Sequence, residues 1–130
     1  MRILQPPGWP RPRGYANGVA AEGRLVFVAG QIGWDESGTV VADDLVRQVQ
    51  QTLENTLAVL REAGAGPEHV VRMTWYITDK RDYLARAREI GEAYRALMGR
   101  HYPAMAVVEV KALIEDGAKV EIETTAVVPA

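Results

Sequence analysis

The segment 43–78, DDLVRQVQQTLENTLAVLREAGAGPEHVVRMTWYIT, decides the fold. Within it Leu45, Val49, Leu53, Leu57 and Leu60 step by four, four, four and three, which places one apolar stripe along a helix. Asp43 and Asp44 stand where a helix start needs a side-chain acceptor for its unpaired N–H groups. Ala63-Gly64-Ala65-Gly66-Pro67 stops the helix, because glycine suits the left-handed C′ position and proline cannot extend the ladder. Val70 to Thr78, rich in β-branched and aromatic side chains, reads as the strand that follows.

The flanks extend the pattern in both directions. Tyr83, Ala87, Ile90, Tyr94 and Leu97 predict a second amphipathic helix ending near Gly99. Ala106 to Leu113 and Lys119 to Val128 read as strands around a turn at Glu115-Asp116-Gly117. Upstream, Tyr15 to Ala21 and Arg24 to Ala29 read as a β-hairpin turning at Glu22-Gly23. The glycine-rich stretch 30–42 is a loop with a short strand at Thr39 to Val41. Residues 5–14 hold four prolines and two glycines, which predicts an arm without ladder hydrogen bonds and order beginning near Tyr15. The expected organisation is an extended arm over 1–14 and a single domain over 15–130.

The resulting order, β-β-(β)-α-β-α-β-β, is an α+β class pattern whose economical packing is a mixed sheet with two helices on one face. The other face remains, and Leu25-Val26-Phe27-Val28 and Val107-Val108 are apolar on both sides of their strands. Such a face predicts self-association.

Composition narrows the function classes. Of 130 residues, 48% are apolar and 25% charged, the balance of a globular chain. Fifteen basic and seventeen acidic side chains are mixed along it, for a formal net charge of −2, which gives no electrostatic reason to expect nucleic acid; Arg2, Arg11 and Arg13 are too thin a cluster to change that. There is no cysteine, so disulfides and thiolate catalysis are excluded and the reducing cytosol is the expected compartment. Only His69 and His101 offer imidazoles, far apart and without carboxylates at ligand spacing, so no metal is expected. The first residues lack an apolar signal core and no later run approaches a membrane span, so neither secretion by that route nor a membrane partner is expected.

Five stretches carry a more specific message: Gly14-Tyr15, Leu25 through Gly33, Gln48 through Leu57, Tyr102-Pro103-Ala104, and Val120-Glu121-Ile122-Glu123. In order and spacing, over nearly the whole chain, they resemble the RidA (YjgF, L-PSP endoribonuclease) family. That resemblance implies a chorismate-mutase-like (ferredoxin-like) fold, a homotrimer whose sheets form an inner barrel, and small-molecule clefts between subunits. It also implies a cofactor-independent deaminase that hydrolyses reactive enamines and imines, such as 2-aminoacrylate, to a keto acid and ammonia.

Such chemistry needs a cation for the substrate carboxylate, a held water and a proton source. By the resemblance, Tyr15, Gly30 and Glu121 match the family's cleft tyrosine, backbone amide donor and water-orienting carboxylate. The family's arginine follows Pro-Ala directly, and here that position is Met105, followed by Ala106 where a hydroxyl residue is usual. Ala29 likewise replaces a serine. Methionine has neither charge nor donor, so the sequence is an atypical member whose substrate is expected not to be 2-aminoacrylate.

The remaining candidates read two ways. Glu121 alternates with Val120 and Ile122 and is either a cleft residue or one on a solvated strand face. Tyr15 is a proton donor or a packing aromatic. Trp34 and Trp75 line an aromatic pocket or belong to core and interface. Val107 and Met105 form an apolar cleft floor, and Arg88 or Arg72 supplies a displaced clamp or a surface charge. Three functions compete: an enamine or imine hydrolase, a non-catalytic binding or chaperone-like trimer, and, last, a ribonuclease, for which no His pair, metal cluster or basic groove is present.

Overall fold

The computed structural model describes residues 1–130. It orders them as β1 (Arg2–Leu4), β2 (Gly18–Ala20), β3 (Arg24–Ile32), α1 (Leu45–Glu62), β4 (Val70–Ile77), α2 (Lys80–Ala85), α3 (Ala87–Met98), β5 (Ala104–Glu109) and β6 (Val120–Val128), with a 3-10 turn at Pro67–His69. Helix α1 begins where expected: the Asp44 side chain accepts from the Arg47 N–H, and Gly64 beyond its end takes φ 70°. Leu45, Val49, Leu53 and Leu60 are buried, each burial stabilising by about 2 kcal/mol.

The main sheet has the order β3-β6-β4-β5. β4 and β5 run parallel, joined by the crossover through α2 and α3, and the other pairings are antiparallel. Helices α1 and α3 pack together, and α1 also packs on β3 and β6. The core between the layers is built from Val28, Met73, Trp75, Ile77, Val120 and Ile122 of the sheet and from Val49, Leu53, Ile90 and Tyr94 of the helices. This is the α+β, mixed-sheet architecture expected of the sequence. None of the helices is long and apolar enough to cross a membrane.

Several expectations are corrected. The hairpin of 15–21 with 24–29 does not form: β2 pairs with β1, and β3 pairs with β6. Local turn chemistry at Glu22-Gly23 is real, since Gly23 takes φ 147°, but the long apolar strand β3 finds a better partner in the apolar β6 than in a three-residue neighbour. Second, order starts before Tyr15, because Arg2–Leu4 pairs with Gly18–Ala20; residues 5–14 do remain free of strand. Third, the second helix is interrupted at Arg86 (φ −113°, ψ 20°), whose guanidinium is held by Asp44 and Glu89. Fourth, the strand at 39–41 is only a bridge between Trp34 and Val40, and β5 spans 104–109 rather than 106–113.

The exposed large apolar side chains of the uncovered sheet face lie at its margins. Leu25, Phe27 and Val108 are 59%, 72% and 42% exposed, and they lie on the outer strands β3 and β5. The inner strands present Thr74, Tyr76 and Glu123, with the Tyr76 hydroxyl donating to Glu123 at 2.6 Å. That bond raises the Tyr76 pKa, since it favours the protonated phenol.

Candidate functional site

Tyr15 reaches its place because the arm is fastened on both sides. Ala16 bridges Ala104 in parallel and donates its N–H to the Pro103 carbonyl at 2.9 Å, while Asn17 donates to the Gln5 side chain. Gly14, at φ 78°, supplies a left-handed turn that a side chain resists. The arm thereby lays Arg13, Gly14 and Tyr15 against the edge of β5.

Between that edge and helix α3 lies a cavity of about 470 Å3. Tyr15, Met105, Val107 and Trp75 line it from the sheet side, and Tyr83, Ile90, Gly91, Tyr94 and Arg95 from the helices. Tyr94 stacks on Tyr102 with ring centroids 5.5 Å apart and donates its hydroxyl to the His101 carbonyl at 2.6 Å. Burial raises the pKa of both Tyr83 and Tyr94, with the Tyr102 charge adding to the effect at Tyr94, so both phenols stay neutral. Trp75 is 2% exposed and its indole N–H has no acceptor.

A second cluster sits toward the other edge of the sheet. The β3–β6 register slips between Val28 and Gln31, so Ala29 and Gly30 leave the ladder as a bulge, a device common beside active sites. The Glu121 carboxylate lies directly over Gly30, where a β-carbon would collide with it. The absence of a side chain at 30 therefore matters for the seating of the Glu121 carboxylate and not for the backbone angles.

The candidates divide accordingly. Tyr15, Met105 and Val107 line one cavity, and Gly30 and Glu121 touch each other. The two groups are not adjacent within one chain: β3 and β5 are the outer strands, about 14 Å apart at the usual strand spacing. Trp34 lies outside the cavity, its carbonyl accepting from Asn55 of α1 at 2.9 Å. The Arg88 side chain is 91% exposed and pairs with Glu92, away from the cavity. Arg72 lies near Tyr15 and Ala104 at the edge and near Glu123 on the open face. Trp75 satisfies both of its readings, being core and cavity wall at once.

Gly91 and Arg95 were not singled out from the sequence, and Arg13 only as one of a thin basic cluster. A signal existed at Gly91, because glycine inside an otherwise apolar-periodic helix weakens it by about 1 kcal/mol relative to alanine and so points to a packing reason.

A model of the Endoribonuclease L-PSP family matches residues 10–128. The chain belongs to that family. Its L-PSP, or RidA, relatives include the 2-iminobutanoate/2-iminopropanoate deaminase of Salmonella typhimurium, 34% identical over 116 residues that cover 87% of this chain and 86% of that one. Among solved structures, YyfB of Yersinia pestis, a Rid-family protein of unknown function, aligns with a TM-score of 0.84 and 34% identity over 98% of each chain. E. coli TdcF with bound serine aligns with a TM-score of 0.69 and 33% identity, again over 98% of each. The L-PSP family thus contains imine deaminases and proteins that hold a small amino acid, on the fold described above.

Proposed function

We propose that this chain is a cofactor-independent hydrolase of a small enamine or imine other than 2-aminoacrylate, acting in the cytosol in clefts between the copies of a homotrimer. The observation that carries the reading is the Glu121 carboxylate seated over Gly30 in the β3 bulge. A carboxylate fixed beside a backbone that has left its ladder is suited to hold water against an electrophilic carbon. An enamine first takes a proton at its β-carbon and gives one up from nitrogen to become the imine; water then adds to the C=N carbon, the nitrogen takes protons and leaves as ammonia, and a carbonyl remains. No oxidant or reductant enters.

The separation of Glu121 from Tyr15 within one chain fits a cleft completed by a neighbouring copy, whose β5 edge would bring Tyr15, Met105 and Val107 opposite Gly30 and Glu121. The exposed Leu25, Phe27 and Val108 on the outer strands are what such a contact would cover. Met105 is the reason to set 2-aminoacrylate aside, since no guanidinium stands at that position to hold so small a carboxylate.

The test is ammonia and keto-acid release from freshly generated 2-aminoacrylate and 2-aminocrotonate by wild type, Met105→Arg, Glu121→Ala and the double variant. Wild type is expected to be inert toward 2-aminoacrylate, Met105→Arg to gain turnover, and Glu121→Ala to abolish that gain. Equal rates with and without Glu121 would remove it from the chemistry. An inert Met105→Arg would instead favour a non-catalytic binding or chaperone-like trimer, the reading supported by the loss of both the arginine and the following hydroxyl.

A further inference from the structure

The cavity beside β5 carries an unusual combination of groups. Its walls are aromatic, from Tyr15, Trp75, Tyr94 and Tyr102, and its floor is the soft, uncharged Met105. Two guanidiniums, Arg13 and Arg95, also line it, and neither enters an ion pair or a side-chain hydrogen bond, although arginines 86 and 88 do. The Arg95 guanidinium lies back over Gly91: a β-carbon there would stand 3.3 Å from the Arg95 Nη1 and 3.9 Å from its Cζ. A glycine inside a twelve-residue helix costs stability, and here it leaves a bare stretch of helix surface beside the cavity with the Arg95 cation lying over it.

From these placements we infer that Arg95, assisted by Arg13, clamps the carboxylate of an aromatic acid whose ring occupies the cavity over Met105. Unpaired guanidiniums prefer a planar anion that accepts two hydrogen bonds at once. Tyrosine and tryptophan faces and a thioether favour an aromatic ring over an aliphatic chain. The cavity volume lies within the range of small-molecule sites and exceeds what a three-carbon acid fills.

This inference rests on the reading above, and it changes the location of the clamp: with the arginine after Pro-Ala replaced by Met105, the charge comes from α3 and the arm. It deepens the substrate class from a small acid to an aromatic one.

The experiment is calorimetric titration of the full-length protein, in its native assembly, with phenylacetate and with its uncharged counterpart phenylacetamide. Wild type should bind phenylacetate at least tenfold more tightly, with an affinity that falls as salt rises. Arg95→Met should erase that preference while leaving phenylacetamide binding within about twofold, and Arg95→Lys should restore part of it. Gly91→Leu, which fills the cavity and displaces Arg95, should abolish binding of both. Equal affinity for the two probes in wild type, an unchanged preference in Arg95→Met, or no saturable binding of phenylacetate would each overturn the proposal. The hydrolysis reading fails separately: if phenylacetate binding depends on Arg95 while the ammonia assays are negative throughout, the acid site stands and the hydrolase does not.

Discussion

The Arg86 guanidinium is bonded to the Asp44 carboxylate across forty-two residues of sequence, so the break between α2 and α3 is fastened to the cap of α1. The hydrogen bond from Arg86, then that from the Arg47 N–H, holds the Asp44 carboxyl below its ordinary value of 3.8, and Arg86 likewise lowers Glu89 from 4.5. Groups lowered in this way contribute stability that is complete above the ordinary carboxylate range and is lost as pH falls through their folded-state values. Arg86→Ala is therefore expected to be less stable than wild type at pH 7, with the difference shrinking toward pH 3. Urea unfolding at the two pH values measures it. Asp44→Ala, which loses the cap as well, is expected to cost about 1 kcal/mol at neutral pH.

Gly30→Ala tests the seating of Glu121. The backbone at 30 is not in the left-handed region, so alanine is conformationally acceptable, and the collision falls on a carboxylate that can swing away. The melting temperature should move by only a few degrees. Under the hydrolase proposal, any measurable turnover should fall by at least tenfold, since a misplaced water holder loses its geometry. A variant as active as wild type would show that Glu121 need not occupy that position.

Gln48 is fully buried and its side chain makes three bonds: the amide donates to the carbonyls of Ala42 at 2.8 Å and Gly117 at 2.9 Å, and its oxygen accepts from the Lys119 N–H at 2.8 Å. It joins α1 to the loops before α1 and before β6. Gln48→Leu keeps the volume but removes the partners of three part-buried backbone groups, so a loss of about 2 kcal/mol and a fall in melting temperature of several degrees are expected. Differential scanning calorimetry reads both.

Phe27→Asp tests self-association. The side chain is 72% exposed on an outer strand, so the charge adds no strain to one chain, yet it would sit in the contact a trimer requires. Sedimentation of wild type should give a trimer, and of the variant a smaller species with unchanged circular dichroism. A monomeric wild type would rule out the intersubunit cleft.

Where the chain's periodicity meets a single partner, its sequence is easily read. Helix α1 follows from five apolar positions on one stripe, an aspartate before it and glycines after it, and Val70 to Ile77 from a run that is buried against those same positions. The failures arise where the deciding contact is distant. Nothing local in Tyr15 to Ala21 tells that residues 18–20 pair with 2–4 while β3 pairs with β6, and the break at Arg86 depends on carboxylates at 44 and 89. In the candidate site, Gly30 beside Glu121 and Tyr15 beside Met105 were reachable through family resemblance. Arg95 was not, because an arginine on a helix surface looks like any other until the glycine four residues earlier is seen beneath it.

The fastening of the arm has a consequence for handling the protein. Arg13 and Tyr15 ride on a segment held at one side by the Ala16–Pro103 bond and at the other by the three-residue pairing of Arg2–Leu4 with Gly18–Ala20. Loss of that small ladder exposes almost none of the cluster packed between sheet and helices, whose buried members all lie beyond residue 27. It instead lets the segment wander, so that a ligand must restrain it on arrival and binds more weakly by that entropy. Extensions fused ahead of residue 2 would then leave the melting curve in place and shift the dissociation constant.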